Sequence, residues 1–368
     1  MPFESGSVSF RMMELPRAFP KNWAEKFAAE AAGSLEAVGE GQQRGWVTGR
    51  HLLDAHITED SALHAGWVRL ALRQAERKVP AALLKAECRM EELATLAAEG
   101  KAYLKAKQRT EIRQAVTERL LPNMPPQLKA IPFVYLPGAT HLYVTALPVS
   151  QWDVFQASLV STLGFGGAPS TPETLGATLA KADLKDFAGT SFSPEMEGEA
   201  MEAAPGREFL TWLWFKAETQ NGRVALAEGR ELGVLLEGPL TFTHEGNGAH
   251  AAVLKKGMPE NSIEAKTCLL SGKKLKEAKI TFALDEQMAW SFGFEADQFL
   301  IRGLKLPQGE GQLDAISRFQ ERMIFLDQWR EIFLDLFGAF LQARTDSKKW
   351  KKATADIREW IQGRPGRR

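Results

Sequence analysis

The chain has 368 residues, 44% hydrophobic and 25% charged, and its 46 basic and 46 acidic side chains cancel to zero formal charge. That composition fits folded domains with a sizeable core and excludes a collagen-like, low-complexity or wholly disordered polymer. Two isolated cysteines, Cys88 and Cys268, exclude a disulfide scaffold or a zinc ribbon, and no apolar run reaches the ~20 residues of a membrane helix.

In chain order the pattern is α+β. MPFESGSVSF has no basic start leading into an apolar run, so no secretory signal is expected and a cytoplasmic location is. SVSFRMMEL alternates as a strand, and KNWAEKFAAEAAG predicts a helix closed by Gly33. WVRLALRQAERKV, from Trp67, predicts a strand with polar residues on one side, ended by Pro80. A helix over about 81–107 follows, on which Leu83, Ala86, Met90, Leu93, Ala97 and Leu104 share an arc of about 80°. Lys101, Lys105 and Arg109 run along one edge of that seam, with Gly100 as a kink rather than a break. A second helix is expected from about Thr110 to Leu121, where Ile112, Val116 and Leu120 move into the sector of the basic residues.

FVYLPGATHLYVTAL alternates around a Pro-Gly-Ala-Thr turn and predicts a hairpin, and VSQWDVFQASLVSTLG a helix. The GFGGAP that follows is no phosphate loop, because it succeeds a helix and lacks a GK[ST]. Residues 168–205 read as a mobile acidic connector with a short helix at 172–182. GREFLTWLWFKAE is a helix with Phe209, Leu210, Leu213 and Trp214 inward. VLLEGPLTFTHE, AHAAVLKKG, KTCLLSGKKLKEAKITFAL and QMAWSFGFEADQFLIRGL read as a meander of antiparallel strands. A helix over 313–343 carries Phe319, Met323, Phe325, Leu326, Ile332, Phe333, Phe337 and Phe340, and Asp327, Arg330, Glu331 and Asp335 interrupt its apolar stretch. SKKWKKATADIREWIQGRPGRR is a short basic amphipathic helix with a disordered end. The expected organisation is 1–80 with 127–167 as an N-terminal α/β domain, 81–126 as a projecting helical segment and 168–205 as the connector. A β-rich domain at 206–310 and C-terminal helices at 311–368 complete it.

The neutral total hides an uneven distribution. Residues 101–129 carry a net +5, residues 253–282 +4 and residues 344–368 +6, while PEMEGEAMEAAPG is acidic. Such runs are either solvated faces or a surface that draws a polyanion. No HExxH and no G-x-S-x-G occurs, and His244 and His250 only flank a turn. Cys88 lies outside the apolar seam, and carboxylates such as Asp54 and Glu59 form no nuclease signature. Trp212, Trp214 and Trp290 suit either core packing or base stacking, and their apolar neighbours favour the core.

Two stretches resemble a known family. The first joins Gly45–Val47, the strand from Trp67 and RKVPAALLKAECRMEELATLAAEGKAYLKAKQRTEIRQAVTERLLP, then the hairpin FVYLPGATHLYVTAL and WDVFQASLVSTLG. The second joins REFLTWLW with LTFTHEGNGAHAAVLKKGMPENSIEAKTCLLSGKKLKEAKITFALDEQMAWSFGFEADQFLIRGLKLP. Over roughly 40–165 and 205–340 their order and texture are similar to the bacterial recombination-associated protein RdgC family. The resemblance implies an α+β horseshoe subunit, two of which close as a homodimeric ring around double-stranded DNA, without enzymatic activity or cofactor. It implies sequence-independent DNA binding that restrains RecA-dependent homologous recombination, with a cytoplasmic, nucleoid-associated location. Charge and placement then nominate Lys101, Lys105, Lys107, Arg109 and Arg113 as phosphate contacts, with Lys255, Lys256, Lys273, Lys274 and Lys276 as a second group. The apolar corner Leu120, Leu121, Pro122, Met124 and Pro125 is the expected subunit contact or its support. One departure stands out: family members commonly continue Leu-Leu-Pro with Arg-Ala-Phe, where this chain has Asn123, Met124 and Pro125. The alternatives are a protein-binding module on the same fold and, less favoured, a nuclease.

Overall fold

In the computed structural model, the structure describes residues 2–39, 41–184, 187–196, 203–226, 229–244, 251–255, 257, 262–309, 311 and 313–363. The N-terminal elements are β1 (Val8–Glu14), α1 (Trp23–Ala29), β2 (Gln42–Thr48), α2 (Glu59–Ala62), β3 (Leu63–His64) and β4 (Trp67–Glu76). Next come α3 (Ala81–Glu99), α4 (Ala106–Leu120), β5 (Gln127–Tyr135), β6 (His141–Val144), α5 (Val149–Leu163), β7 (Ala168–Pro169) and α6 (Pro172–Leu179). The remainder is α7 (Pro205–Thr219), β8 (Arg223–Ala225), β9 (Glu231–Thr243), β10 (Ala251–Leu254), α8 (Ile263–Leu270), β11 (Lys274–Ala283), β12 (Ala289–Glu295), β13 (Leu300–Lys305), α9 (Ala315–Thr345) and α10 (Ser347–Gln362).

The described strands form one 13-stranded sheet in the order β10-β9-β11-β12-β13-β1-β6-β5-β4-β2, with β3, β7 and β8 pairing off that path. Pairing between its strands is antiparallel throughout. β1 joins the two halves: Val8 and Phe10 pair with Leu304 and Ile301 of β13, while Arg11–Glu14 pair with Val144–His141 of β6. One face of the N-terminal half packs Val68, Leu70, Phe133 and Leu142 against Phe27 of α1 and Phe155 and Leu159 of α5. The larger cluster sets α7, α9 and α10 on the C-terminal half, where Phe209, Phe333, Phe337 and Phe340 lie among Phe294, Phe299 and Trp290. α9 also reaches across to the N-terminal half, where Trp329 meets Phe10 at 5.4 Å.

Several expectations are corrected. α1 stops at Ala29 rather than at Gly33, because Ala31 and Ala32 leave the helix to bridge Trp46. Gly45 permits that approach: a Cβ there would stand 2.4 Å from the Ala32 backbone. The polar side of β4 is buried too, with Arg73 donating to the Leu52 and Gly33 carbonyls and Arg69 paired with Glu4. Residues 266–270, read as the start of a meander strand, belong instead to the helix α8, started by Ser262, whose hydroxyl accepts from the Ala265 amide at 3.1 Å. Its buried Ala265 and Leu269 recur at four-residue spacing. In the connector the helix expected at 172–182 is present as α6, ending at Leu179, and before it β7 adds an unexpected pairing with Met13 and Glu14. Residues 185–186 and 197–202 of the connector lie outside the described residues.

Candidate nucleic-acid interface

The helical segment after Pro80 is a hairpin. α3 ends at Glu99 because Gly100 takes the left-handed conformation (φ +63°) as its C-cap, so Gly100 is the break rather than a kink within one helix. Leu104, 5% exposed, plugs the turn, and the Lys105 amide donates to Gln108 Oε1 at 3.2 Å to start α4. α4 is therefore longer at its N-terminal end than the sequence suggests, and Arg109 sits in its first turn. The hairpin is held partly by charge: Arg119 reaches Glu87 and Glu91, each at 2.9 Å. Ile112, Val116 and Leu120 supply the apolar line on α4.

None of the 19 residues of α3 is buried. Leu83, Met90 and Leu93 are 37%, 58% and 51% exposed, so the apolar seam faces solvent instead of a core. Sequence reasoning finds this stripe but not its exposure; its narrowness, flanked by charge on both sides, is the available signal.

All five cations nominated on the hairpin are exposed. Lys101 lies 2.7 Å from Glu99, and Lys107 lies 3.9 Å from Glu111 on the helix surface. Lys105, Arg109 and Arg113 have no acidic partner within salt-bridge range among the described residues. α4 also has no acidic residue in its first turn, where the helix dipole favours one. The arrangement is a cluster of solvated, unneutralised cations on a peripheral helix.

The second group does not assemble. Lys274 is buried at 1% exposure, 3.5 Å from Glu208, and is corrected from a phosphate contact to a core ion. Arg344 shares that carboxylate at 2.7 Å, which draws the first basic residue of the C-terminal run inward as well. Lys276 is turned onto the sheet by Asp297 at 3.0 Å and Glu295 at 3.7 Å. Burial raises the Asp297 pKa, but Arg207 and Lys276 outweigh it and hold the carboxyl below its ordinary range; burial leaves that of Glu295 raised. Lys273 is half-buried in the turn before β11, Lys255 is exposed, and Lys256 lies outside the described residues.

At the corner, Leu120, Leu121 and Met124 are half-buried, while Pro122 and Pro125 are exposed. Arg77 clamps it from β4's end, donating to the carbonyls of Val38 at 2.7 Å, Pro122 at 3.3 Å and Met124. A cavity of about 240 Å³ lies beneath, lined by Glu36, Val38, Gly39, Arg77, Leu121 and Pro122. The corner is thus rigidly supported by its own chain while keeping an outward apolar face.

Trp212, Trp214 and Trp290 are core residues, at most 4% exposed, which ends the base-stacking alternative for them. His250 and most of its turn lie outside the described residues. Among the described residues no three His, Cys, Asp or Glu side chains gather as a metal site, and no helix is long and apolar enough to cross a membrane. A cavity of about 990 Å³ opens between the 4–7 segment, Lys305–Gly309 and the start of α9. Its polar groups hold the N-terminal segment down: Arg322 donates to the Phe3 and Gly6 carbonyls, and Glu4 pairs with Arg69. Burial and the Arg69 charge lower the pKa of His64 beside it. No family model matches this chain, and no curated protein matches it significantly.

Proposed function

We propose that the chain is a non-catalytic, sequence-independent binder of double-stranded DNA that restrains RecA-dependent homologous recombination. The carrying observation is the group Lys105, Arg109 and Arg113: exposed, without acidic partners among the described residues, and set on a helix whose first turn disfavours cations. Such charges neutralise phosphates and release condensed counterions, which gives affinity without reading bases. The role in recombination, the horseshoe subunit and its closure into a homodimeric ring rest on the family resemblance. In that reading Lys101, Lys107 and Lys255 add to the phosphate contacts, and the corner from Leu120 to Pro125 meets the partner subunit.

A second reading, a protein-binding module on the same fold, is favoured by the exposed stripe Leu83, Met90 and Leu93. One experiment separates the two. Purified protein is titrated into labelled duplex at ~50 mM salt, where phosphate-driven binding is strong. The first reading expects retention of duplex, abolished in Lys101→Glu with Lys105→Glu. A wild-type protein that leaves the duplex unshifted sinks that reading and leaves the second.

A further inference from the structure

α10 carries a second surface of unusual charge. Its inward residues Trp350, Thr354, Ile357 and Ile361 share an arc of about 60° at 100° per residue. On the same two turns Lys348 and Lys352 lie opposite that arc and Lys349 and Lys351 on its two flanks, together about 160° of the helix surface, and all four are exposed. The helix is not a loose tail. Trp350 packs edge-on against Phe340 at 5.6 Å and Phe192 at 6.2 Å, and its indole N–H donates to Thr190 Oγ1 at 2.8 Å. The lysine stems therefore leave a fixed backbone, so a ligand that gathers their charges orders side chains but no backbone.

Their placement opposes local stability. Asp346 is the N-cap, its carboxylate accepting from the amides of Lys348 at 3.0 Å and Lys349 at 3.1 Å. No acidic residue follows in the first turn, where the macrodipole favours one. Lys349 lies 3.8 Å from Asp346, while Lys348, Lys351 and Lys352 have no acidic partner among the described residues. The acids of the helix, Asp356 and Glu359, come in its later turns, where the dipole favours bases. A face kept only for solubility mixes signs and follows the dipole. This one reverses the dipole and concentrates one sign.

We propose that Lys348, Lys349, Lys351 and Lys352 form a second phosphate-contacting surface for duplex DNA, separate from the α3–α4 hairpin; it rests on the duplex-binding reading above. The lysines act as point charges against the backbone of the duplex and read no bases. They take the place that sequence reasoning gives to Lys274 and Lys276.

The test uses the full chain. Lys348→Gln, Lys349→Gln, Lys351→Gln and Lys352→Gln are combined, and duplex affinity is measured by anisotropy between ~50 and ~200 mM salt. Each phosphate left without its lysine lowers the slope of log affinity against log salt by about 0.9, so with two to four such contacts a fall of about 1.8–3.6 is expected, with affinity at least about tenfold weaker at the upper salt. Thermal midpoint is recorded alongside; because the lysines are exposed, it stays level or rises. Wild type that binds duplex, beside a variant with an unchanged slope, overturns this proposal and leaves the hairpin reading standing. Wild type that does not bind at ~50 mM salt overturns both. Weaker affinity with an unchanged slope assigns the effect to altered shape and also overturns it.

Discussion

Lys274 Nζ lies 3.5 Å from the Glu208 carboxylate, with both side chains only 1% exposed. Arg344 completes the group from α9 at 2.7 Å, and the Thr190 amide donates to the same carboxylate at 2.8 Å. One anion thus serves two cations in the core. Glu208→Gln takes the shared carboxylate from both buried cations and is expected to cost about 3–5 kcal/mol, whereas Lys274→Met leaves the Arg344–Glu208 pair and costs markedly less. Urea unfolding of the two variants checks the order; equal midpoints would remove Glu208 as the hub.

On the hairpin, replacing Lys105, Arg109 and Arg113 by Gln is expected to weaken duplex binding and lower the salt slope by about 0.9 for each phosphate no longer neutralised. Lys274→Met leaves the slope unchanged. Anisotropy titrations at four salt concentrations separate these outcomes, and a slope that moves with Lys274 instead would reverse the assignment.

Gly100 has left-handed φ and open space where a Cβ would stand, so the cost of Gly100→Ala is conformational, about 1 kcal/mol. The hairpin is peripheral, and the cost is expected as local opening rather than as a global shift. Hydrogen exchange of the last turn of α3 and first turn of α4 is predicted to quicken in Gly100→Ala and less in Gly100→Asn.

Tyr143 donates a 2.6 Å hydrogen bond to Asp327 and ties β6 to α9. Burial, with the Asp327 charge beside it, lifts the phenol well above its ordinary value. The unfolded chain loses that proton near pH ~10 while the folded chain keeps it, so the contribution is complete below pH ~10 and declines as pH rises further. Tyr143→Phe is expected to lose about 1–3 kcal/mol at pH ~7 and to show a shallower loss of stability above pH ~10 than wild type. Denaturant midpoints across that range measure both.

In the proposed homodimer the corner meets the partner subunit, so Met124→Asp, which places a charge there, is expected to lower the mass in solution from dimer to monomer. Met90→Asp with Leu93→Asp gives the same reading for the exposed stripe of α3. A dimer unchanged in Met124→Asp removes the corner from the subunit contact.

Legibility varies with the reach of the interaction. The Phe133–Leu147 hairpin is readable because alternation and a Pro-Gly turn are local, and it pairs Phe133 with Val144 and Tyr135 with Leu142. The long phenylalanine-rich helix is readable by period, shifting only to Ala315–Thr345. Gly100 is misread because a glycine inside helical periodicity resembles a kink until Leu104 is seen filling the turn. Lys274 and Lys276 are misread because their carboxylates, Glu208, Glu295 and Asp297, lie far away in sequence. Charge counting sees the lysine and not the distant acid that draws it inward.

The seam at β1 has a consequence for synthesis. Arg11–Glu14 find β6 once residues 141–144 have been made, but Val8 and Phe10 lack their other neighbours until Leu304 and Ile301 leave the ribosome. For most of translation the start of the first strand is an open edge carrying buried-type side chains, Val8 and Phe10. Completion of the sheet is therefore a late event of high contact order. A chain interrupted before residue 300 keeps that edge exposed, and such interrupted chains are the ones expected to aggregate.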